Sequence, residues 1–116
     1  MNYETILHFW FKEITTESWF KKDDNFDDLL KRRFGKLLEQ ARAGELYTWR
    51  ESIRGRLAEI IVLDQFSRNI YRDTPKSFSQ DSMALILAQE CISLGLDKRL
   101  NVDEKSFLYM PFMHSE

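Results

Sequence analysis

Apolar positions along this chain recur with helical spacing, and no segment alternates apolar and polar residues as a strand does. The clearest helix spans residues 26–41, where apolar residues lie three or four positions apart and charged residues fill the opposite face. Gly44 follows at the position where a glycine commonly ends a helix. A shorter helix precedes it, with Asn2 as its N-cap. The pattern predicts an all-α protein.

Two capping boxes mark the starts of further helices. Thr48 and Glu51 have the required spacing, and so do Ser77 and Gln80. We therefore predict a third helix that begins at Thr48, and a fourth that begins at Ser77 and ends at Gly95.

A last helix begins within the segment "NVDEKSF", and Pro111 is expected to kink or break it. Trp19 and Phe20 stand in the polar connection after the first helix, where we expect them to pin that connection to the core. Short connections between helices favour antiparallel hairpins. The predicted architecture is one domain, residues 1–116, in which antiparallel helical hairpins stack as a tetratricopeptide-like superhelix, although the halves share no sequence repeat.

The end of the predicted third helix carries charges where its pattern calls for apolar residues. On a helical wheel of about 100° per residue, Asp64 continues the apolar direction and Arg68 lies beside it. Apolar residues cover the other side, and a helix that is apolar nearly all round is buried. Asp81 likewise stands in the middle of the apolar face of the fourth helix. We therefore expect these charges to be buried or nearly so.

A short connection joins the two helices, so they should pack antiparallel and bring these charges to the same depth. We predict a single hydrogen-bonded network at that level. Its members are Asp64, Arg68, Arg72 and Asp81, with the amides of Gln65 and Asn69 satisfying the remaining donors and acceptors.

This network has a structural and a functional interpretation. Breaking a buried ion pair costs about 3–5 kcal/mol in a domain with a total stability of about 5–15 kcal/mol. Apolar residues in place of a buried ion pair often stabilise a protein equally well. Stability alone therefore does not explain the network, which either sets the register of the helices or serves a ligand. In the functional interpretation, Arg68 and Arg72 hold a carboxylate or phosphate, and Asp64 or Asp81 orients them or acts as a base.

Composition narrows the classes of function. A net charge of −2 and a pI near 5.7 lack the basic excess of a nucleic-acid-binding domain. The single cysteine, Cys91, cannot form an intramolecular disulfide and is expected to be a buried thiol. The N-terminus lacks the features of a signal peptide, and the longest uncharged apolar run, residues 83–88, is too short to span a bilayer. We expect a cytoplasmic protein with no nucleic-acid or membrane partner.

Metal and cofactor motifs are absent from the sequence. His114 and Glu116 are candidate metal ligands or an acid–base pair, but the second histidine, His8, belongs to the first helix. There is no H-E-x-x-H, paired-cysteine or EF-hand spacing, and no P-loop, Rossmann or G-x-S-x-G pattern. We expect no metal and no cofactor. A further role for His114 is a hydrogen bond to a neighbouring helix or to a carboxylate of the network.

The segments "GRLAEIIVLDQFSRNIYRDTP", "SFSQD" and "FLYMPFMHSE" resemble a family of bacterial proteins known as domain of unknown function 924. The resemblance implies a tetratricopeptide-like helical fold and no established activity. Ser67 stands where the family often has proline. Members usually continue past "HSE" with more helices, so we expect this chain to be a shortened form or a fragment. The residues that match the polar motifs of the family are Asp64, Gln65, Arg68, Asn69, Arg72, Asp81, His114 and Glu116.

Two functions follow as hypotheses. The first is a helical scaffold that binds a peptide or partner protein between its hairpins, by analogy with similar folds. The second is a small-molecule site or an enzyme for an anionic ligand, in which Arg68 and Arg72 hold the anion near Asp64, Asp81 and His114. Guanidinium groups that line an open cleft favour the second hypothesis, whereas donors that are all paired inside the core favour the first.

Overall fold

The computed structural model describes residues 1–115 and contains helices and turns but no strand over that range. The α-helices are α1 (Tyr3–His8), α2 (Asp24–Arg42), α3 (Ile53–Ile61), α4 (Ser67–Ile70), α5 (Asp81–Ser93) and α6 (Val102–His114). The all-α prediction is therefore confirmed. The stacked superhelix and the single domain stay predictions. None of the described helices has the length and apolar character needed to cross a membrane.

Short π-helical and 3₁₀ turns extend or connect these helices. A π-helical turn extends α1, and another joins α3 to α4, so that residues 53–70 form one continuous helix, hereafter the central helix. The π turns span Phe9–Glu13 and Val62–Phe66, and 3₁₀ turns span Thr16–Trp19, Tyr47–Glu51, Pro75–Phe78 and Leu96–Arg99.

Several predicted helix ends agree with the structure. The Asn2 side chain accepts a hydrogen bond from the Thr5 backbone N–H at 3.1 Å, as an N-cap does. Gly44 and Gly95 have φ angles of 77° and 71° just after α2 and α5. In this left-handed region only glycine escapes a steric penalty, which explains its presence at both ends.

Both predicted capping boxes are wrong. Thr48 lies inside a 3₁₀ turn, and the residue with extended backbone that caps α3 is Ser52, whose hydroxyl accepts from the Gly55 N–H at 3.0 Å. Ser77 also lies in a 3₁₀ turn, where its hydroxyl donates to the Thr74 carbonyl at 2.7 Å, and α5 starts only at Asp81. An N-cap requires extended backbone, and neither predicted residue has it.

Pro111 does not break the last helix. It is buried inside α6, which continues to His114 and is followed by a Ser115 N–H that donates to the Pro111 carbonyl at 3.1 Å. The start of α6 is secured by a capping box between Asn101 and Glu104. The helix is therefore long enough to bring His114 to the polar cluster described below.

The central helix is the core of the fold. Every residue from 57 to 67 is buried, whatever direction its side chain takes. Its first part contacts α1, α5 and α6, and its second part contacts α2. Helix α5 runs antiparallel to it, because Arg68 pairs with Asp81 at one end and Arg56 pairs with Glu90 at the other. The predicted burial of the second half of the third helix and its antiparallel packing against the fourth are confirmed.

Gly55 lets the preceding turn pack directly on the central helix. A Cβ atom at this position would lie 2.0 Å from the Trp49 carbonyl oxygen and 2.8 Å from its carbon. Since the obstacle is backbone, no side-chain rotation could relieve the overlap.

We predict that Gly55→Ala destabilises the protein by on the order of 3 kcal/mol, because the 3₁₀ turn must move away from the helix. Gly35→Ala is the matched control. Gly35 lies within α2 with only the Lys31 side chain within 4.0 Å, so alanine there should stabilise the protein by about 0.5–1 kcal/mol. Urea unfolding of both variants measures the difference, and equal effects would contradict the predicted close approach.

Candidate functional site

Arg68 lies between two carboxylates. Its Nη1 and Nη2 atoms donate to Asp81 Oδ1 and Oδ2 at 2.8 and 2.9 Å, and Nη1 also donates to Asp64 Oδ1 at 3.0 Å. Asp64 comes from the π turn and is only 1% exposed. Asp81 is the first residue of α5, so this planar, bidentate contact ties the two antiparallel helices together. The predicted grouping of Asp64, Arg68 and Asp81 is thus present.

Asp64 receives two further hydrogen bonds. The Gln65 amide donates to Oδ2 at 2.9 Å, and His114 Nδ1 lies 2.8 Å from Oδ1. Asp64 is paired with Arg68, and an ionised carboxylate can only accept hydrogen bonds, so we assign the hydrogen to Nδ1 of His114. Three helical segments therefore meet at one buried carboxylate. We call Asp64, Gln65, Arg68, Asp81 and His114 the Asp64 cluster.

Arg72 and Asn69 do not join this cluster, so that part of the predicted network is wrong. Arg72 Nε and Nη2 donate to Asp27 Oδ2 and Oδ1 at 2.6 and 3.2 Å, and the Asn69 amide donates to Asp27 Oδ1 at 2.9 Å. Their part of the central helix packs on α2, which supplies Asp27. The hydrogen bond to Asp27 raises the pKa of Arg72 above its usual value, which keeps this guanidinium charged.

A surface cleft of about 460 Å³ is lined both by members of the Asp64 cluster and by Asn69 and Arg72. We call it the cationic cleft, because Lys21, Arg68 and Arg72 contribute to its wall and none of the described residues that line it is acidic. Its lining consists of Trp19, Phe20, Lys21, Gln65, Arg68, Asn69, Arg72, Met110, Met113 and His114. The paired carboxylates of Asp27, Asp64 and Asp81 are not among them.

Several side chains that line the cleft keep unused hydrogen-bonding capacity. Within residues 1–115, neither Arg72 Nη1 nor His114 Nε2 has a hydrogen-bond partner, and Lys21 forms no ion pair. The side chains of Arg68, Arg72 and His114 are 20%, 29% and 24% exposed. These groups are paired with carboxylates that do not line the cleft, and they still have contact with solvent.

The structure places most of the predicted site residues at the cleft. Its lining includes Gln65, Arg68, Asn69, Arg72 and His114, whereas Asp64 and Asp81 do not line it. Glu116 lies outside the described residues.

The sequence interpretation missed other residues of the site. Asp27 shares a helical face with the buried Leu30 and Phe34, so the wheel argument used for Asp81 could have found it. Lys21 lies in a polar connection without helical periodicity, so the wheel argument could not have found it. Trp19 does pin that connection, through a 2.9 Å hydrogen bond to the Trp10 carbonyl, but Phe20 is 70% exposed instead of buried.

Cys91 is buried, and desolvation raises the pKa of its thiol to about 11. A thiol of this kind is not a nucleophile near neutral pH. Within the described part of the chain, no group of three or more His, Cys, Asp or Glu residues is placed to hold a metal ion.

Comparisons with known proteins agree with the family resemblance of the sequence motifs. The sequence profile of a family described as "Bacterial protein of unknown function (DUF924)" matches residues 6–116. A solved structure of a protein of unknown function from Agrobacterium tumefaciens superposes with a TM-score of 0.91 at 36% sequence identity. The match covers 97% of this chain and 63% of that one, so this chain spans less than two thirds of the length of its structural relative. No curated protein matches the chain.

We predict that Arg68→Met destabilises the protein by about 3 kcal/mol, because it leaves the buried Asp64 without its main cation. The matched control is Lys22→Met, which removes a 3.6 Å pair between the exposed side chains of Lys22 and Asp73 and should change stability little. Chemical unfolding monitored by circular dichroism measures both. An Arg68→Met protein as stable as the control would contradict the burial of this charge.

Proposed function

We propose that this chain, which belongs to the DUF924 family of bacterial proteins, binds a small anion that carries an apolar or aromatic group. The observation that carries the proposal is the lining of the cationic cleft: three cations and one histidine line it, and none of the carboxylates paired with them does. The arrangement would offer an anion favourable charge at short range without a competing acidic side chain.

The arginines are positioned before any ligand arrives. Asp81 holds Arg68 in a two-point contact, and Asp27 does the same for Arg72. A flexible arginine loses conformational entropy when it binds an anion, and a carboxylate that already orients it reduces that loss. Arg72 Nη1, which has no hydrogen-bond partner within residues 1–115, and the partly exposed Arg68 side chain are then available to carboxylate or phosphate oxygens.

The other wall of the cleft suits an apolar group. Trp19, Phe20, Met110 and Met113 line it, and Phe20 and Met113 are 70% and 66% exposed. Exposed aromatic and methionine side chains beside polar groups are typical of ligand sites, and methionine adapts to varied shapes. A volume of about 460 Å³ lies within the usual range for small-molecule pockets. The ligand proposed is therefore amphipathic, with the size of a substituted aromatic or short-chain acid.

The partly exposed guanidinium groups at the cleft favour this hypothesis over the scaffold. A peptide-binding scaffold would not need cations held by carboxylates outside the cleft lining, although a peptide could bring its terminal carboxylate to the same place. Binding of a peptide through side chains alone, with no competition from small anions, would support the scaffold instead. The protein- or peptide-binding scaffold stays a prediction.

The test compares probes that share a ring and differ in charge. We expect phenyl phosphate and benzoate to shift backbone amide resonances around Lys21, Arg72 and His114 in a saturable manner, and phenol and benzamide to shift them far less. Added salt should weaken the binding of both anions, because the charges that attract them are partly exposed to solvent.

Lys21→Met should weaken phenyl phosphate binding several-fold with no loss of stability, because Lys21 has no ion-pair partner within residues 1–115. Lys22→Met removes the same charge from the adjacent position, outside the cleft lining, and is the control. Equal affinities of the two variants, or equal binding of phenol and phenyl phosphate, would contradict an anion site in this cleft.

A further inference from the structure

We propose that the cationic cleft is catalytic, with His114 Nε2 as a general base that accepts a proton from a bound anionic substrate and Asp64 as its positioning residue. This inference rests on the proposed anion site, because the substrate must be held beside His114. The substrate class is a carboxylate or phosphate that also carries an acidic O–H or C–H bond.

The contact between Asp64 and His114 favours one tautomer of the imidazole ring. Nδ1 donates to Asp64 Oδ1 at 2.8 Å, so in the neutral ring Nε2 has no hydrogen and presents a lone pair. His114 lines the cleft, and Nε2 has no hydrogen-bond partner within residues 1–115. The available nitrogen is thus the one with basic character.

Asp64 is itself held in place from several sides. Gln65 occupies Oδ2, and Arg68 and His114 share Oδ1. The carboxylate is 1% exposed, so water does not compete with the histidine for it. A buried carboxylate behind a histidine selects the tautomer and stabilises the imidazolium that forms when the ring takes up a proton.

The surroundings of the two ring nitrogens of His114 differ from those expected for a purely structural histidine. A histidine that only anchored α6 to the central helix would be satisfied with both nitrogens buried or with Nε2 in a protein hydrogen bond. Here one nitrogen is buried against Asp64, and the other belongs to a partly exposed ring in a cleft lined by Lys21 and Arg72. The pair therefore has the arrangement of an acid–base group.

The proposed step is a balanced proton transfer. A substrate O–H or C–H bond breaks, its proton forms a bond to Nε2, and the electron pair stays on the substrate. The negative charge gained by the substrate is offset by Arg72 and Lys21, and the positive charge gained by the ring is offset by Asp64. No oxidant, reductant or second substrate is required.

The first test uses the unmodified protein. Long-range ¹H–¹⁵N spectra identify which imidazole nitrogen carries the hydrogen at mildly alkaline pH. We expect the Nδ1–H tautomer for His114, and a change in the Nε2 resonance when phenyl phosphate is added. An Nε2–H tautomer would overturn the proposal.

The second test measures the reactivity of Nε2 with diethyl pyrocarbonate, which acylates unprotonated imidazole, followed by mass spectrometry of each histidine. His8 is an internal control, because it is 66% exposed and lies 3.4 Å from Glu13. We expect His114 to react faster than His8 despite being only 24% exposed, and phenyl phosphate to protect His114 alone. A slower His114 would refute the basic role.

Asp64→Asn should lower the His114 rate about tenfold and leave the His8 rate unchanged, because the ring loses the carboxylate that orients it. Circular dichroism shows whether this variant is folded. The tautomer measurement uses the unmodified protein and does not depend on the variant.

If phenyl phosphate binds but His114 has the Nε2–H tautomer or reacts slowly, the general base is refuted and the anion site stands. If His114 is reactive but no anion binds or protects it, both proposals are refuted.

Discussion

The structure depends on satisfying one buried carboxylate. Asp64 lies in the π turn of a helix whose residues 57–67 are all buried, so its charge cannot be solvated by water. Donors must reach it from the surrounding helices. Arg68, one turn further along the same helix, donates to Asp64 and also pairs with Asp81 of α5. His114 reaches Asp64 from the end of α6. This requirement positions three helical segments and the side chains at the cleft.

Buried charge alone does not indicate a site in this protein. Glu59 is fully buried and is held by Arg50 through two hydrogen bonds of 2.8 Å, but neither residue lines the cationic cleft. That pair has the features of a structural contact. The Asp64 cluster differs because Gln65, Arg68 and His114 line the cationic cleft, whereas Arg50, although 30% exposed, does not. The distinction between the two kinds of pair comes from the surface in front of them, not from the strength of the ion pair.

Helical periodicity predicted much of this arrangement from the sequence. An apolar pattern that continues round the whole helix placed Asp64 inside, and the short connection to α5 placed Asp81 beside Arg68. The pairing of Arg72 with Asp27 was missed, because it depends on how α2 crosses the central helix, and a wheel contains no information about crossing. Lys21 and Phe20 were missed because a connection without periodicity does not reveal which residues face a cleft. The capping boxes failed because Thr48 and Ser77 have the correct spacing but lie in 3₁₀ turns.

A crystal structure of the protein with phenyl phosphate would show both the buried carboxylate and the bound anion. We expect Asp64 between Arg68 and His114, the phosphate oxygens within hydrogen-bond distance of Arg72 and His114 Nε2, and the ring against Trp19 and Phe20. A His114 side chain turned away from Asp64 into solvent, or a cleft without phosphate at saturating concentration, would contradict this expectation.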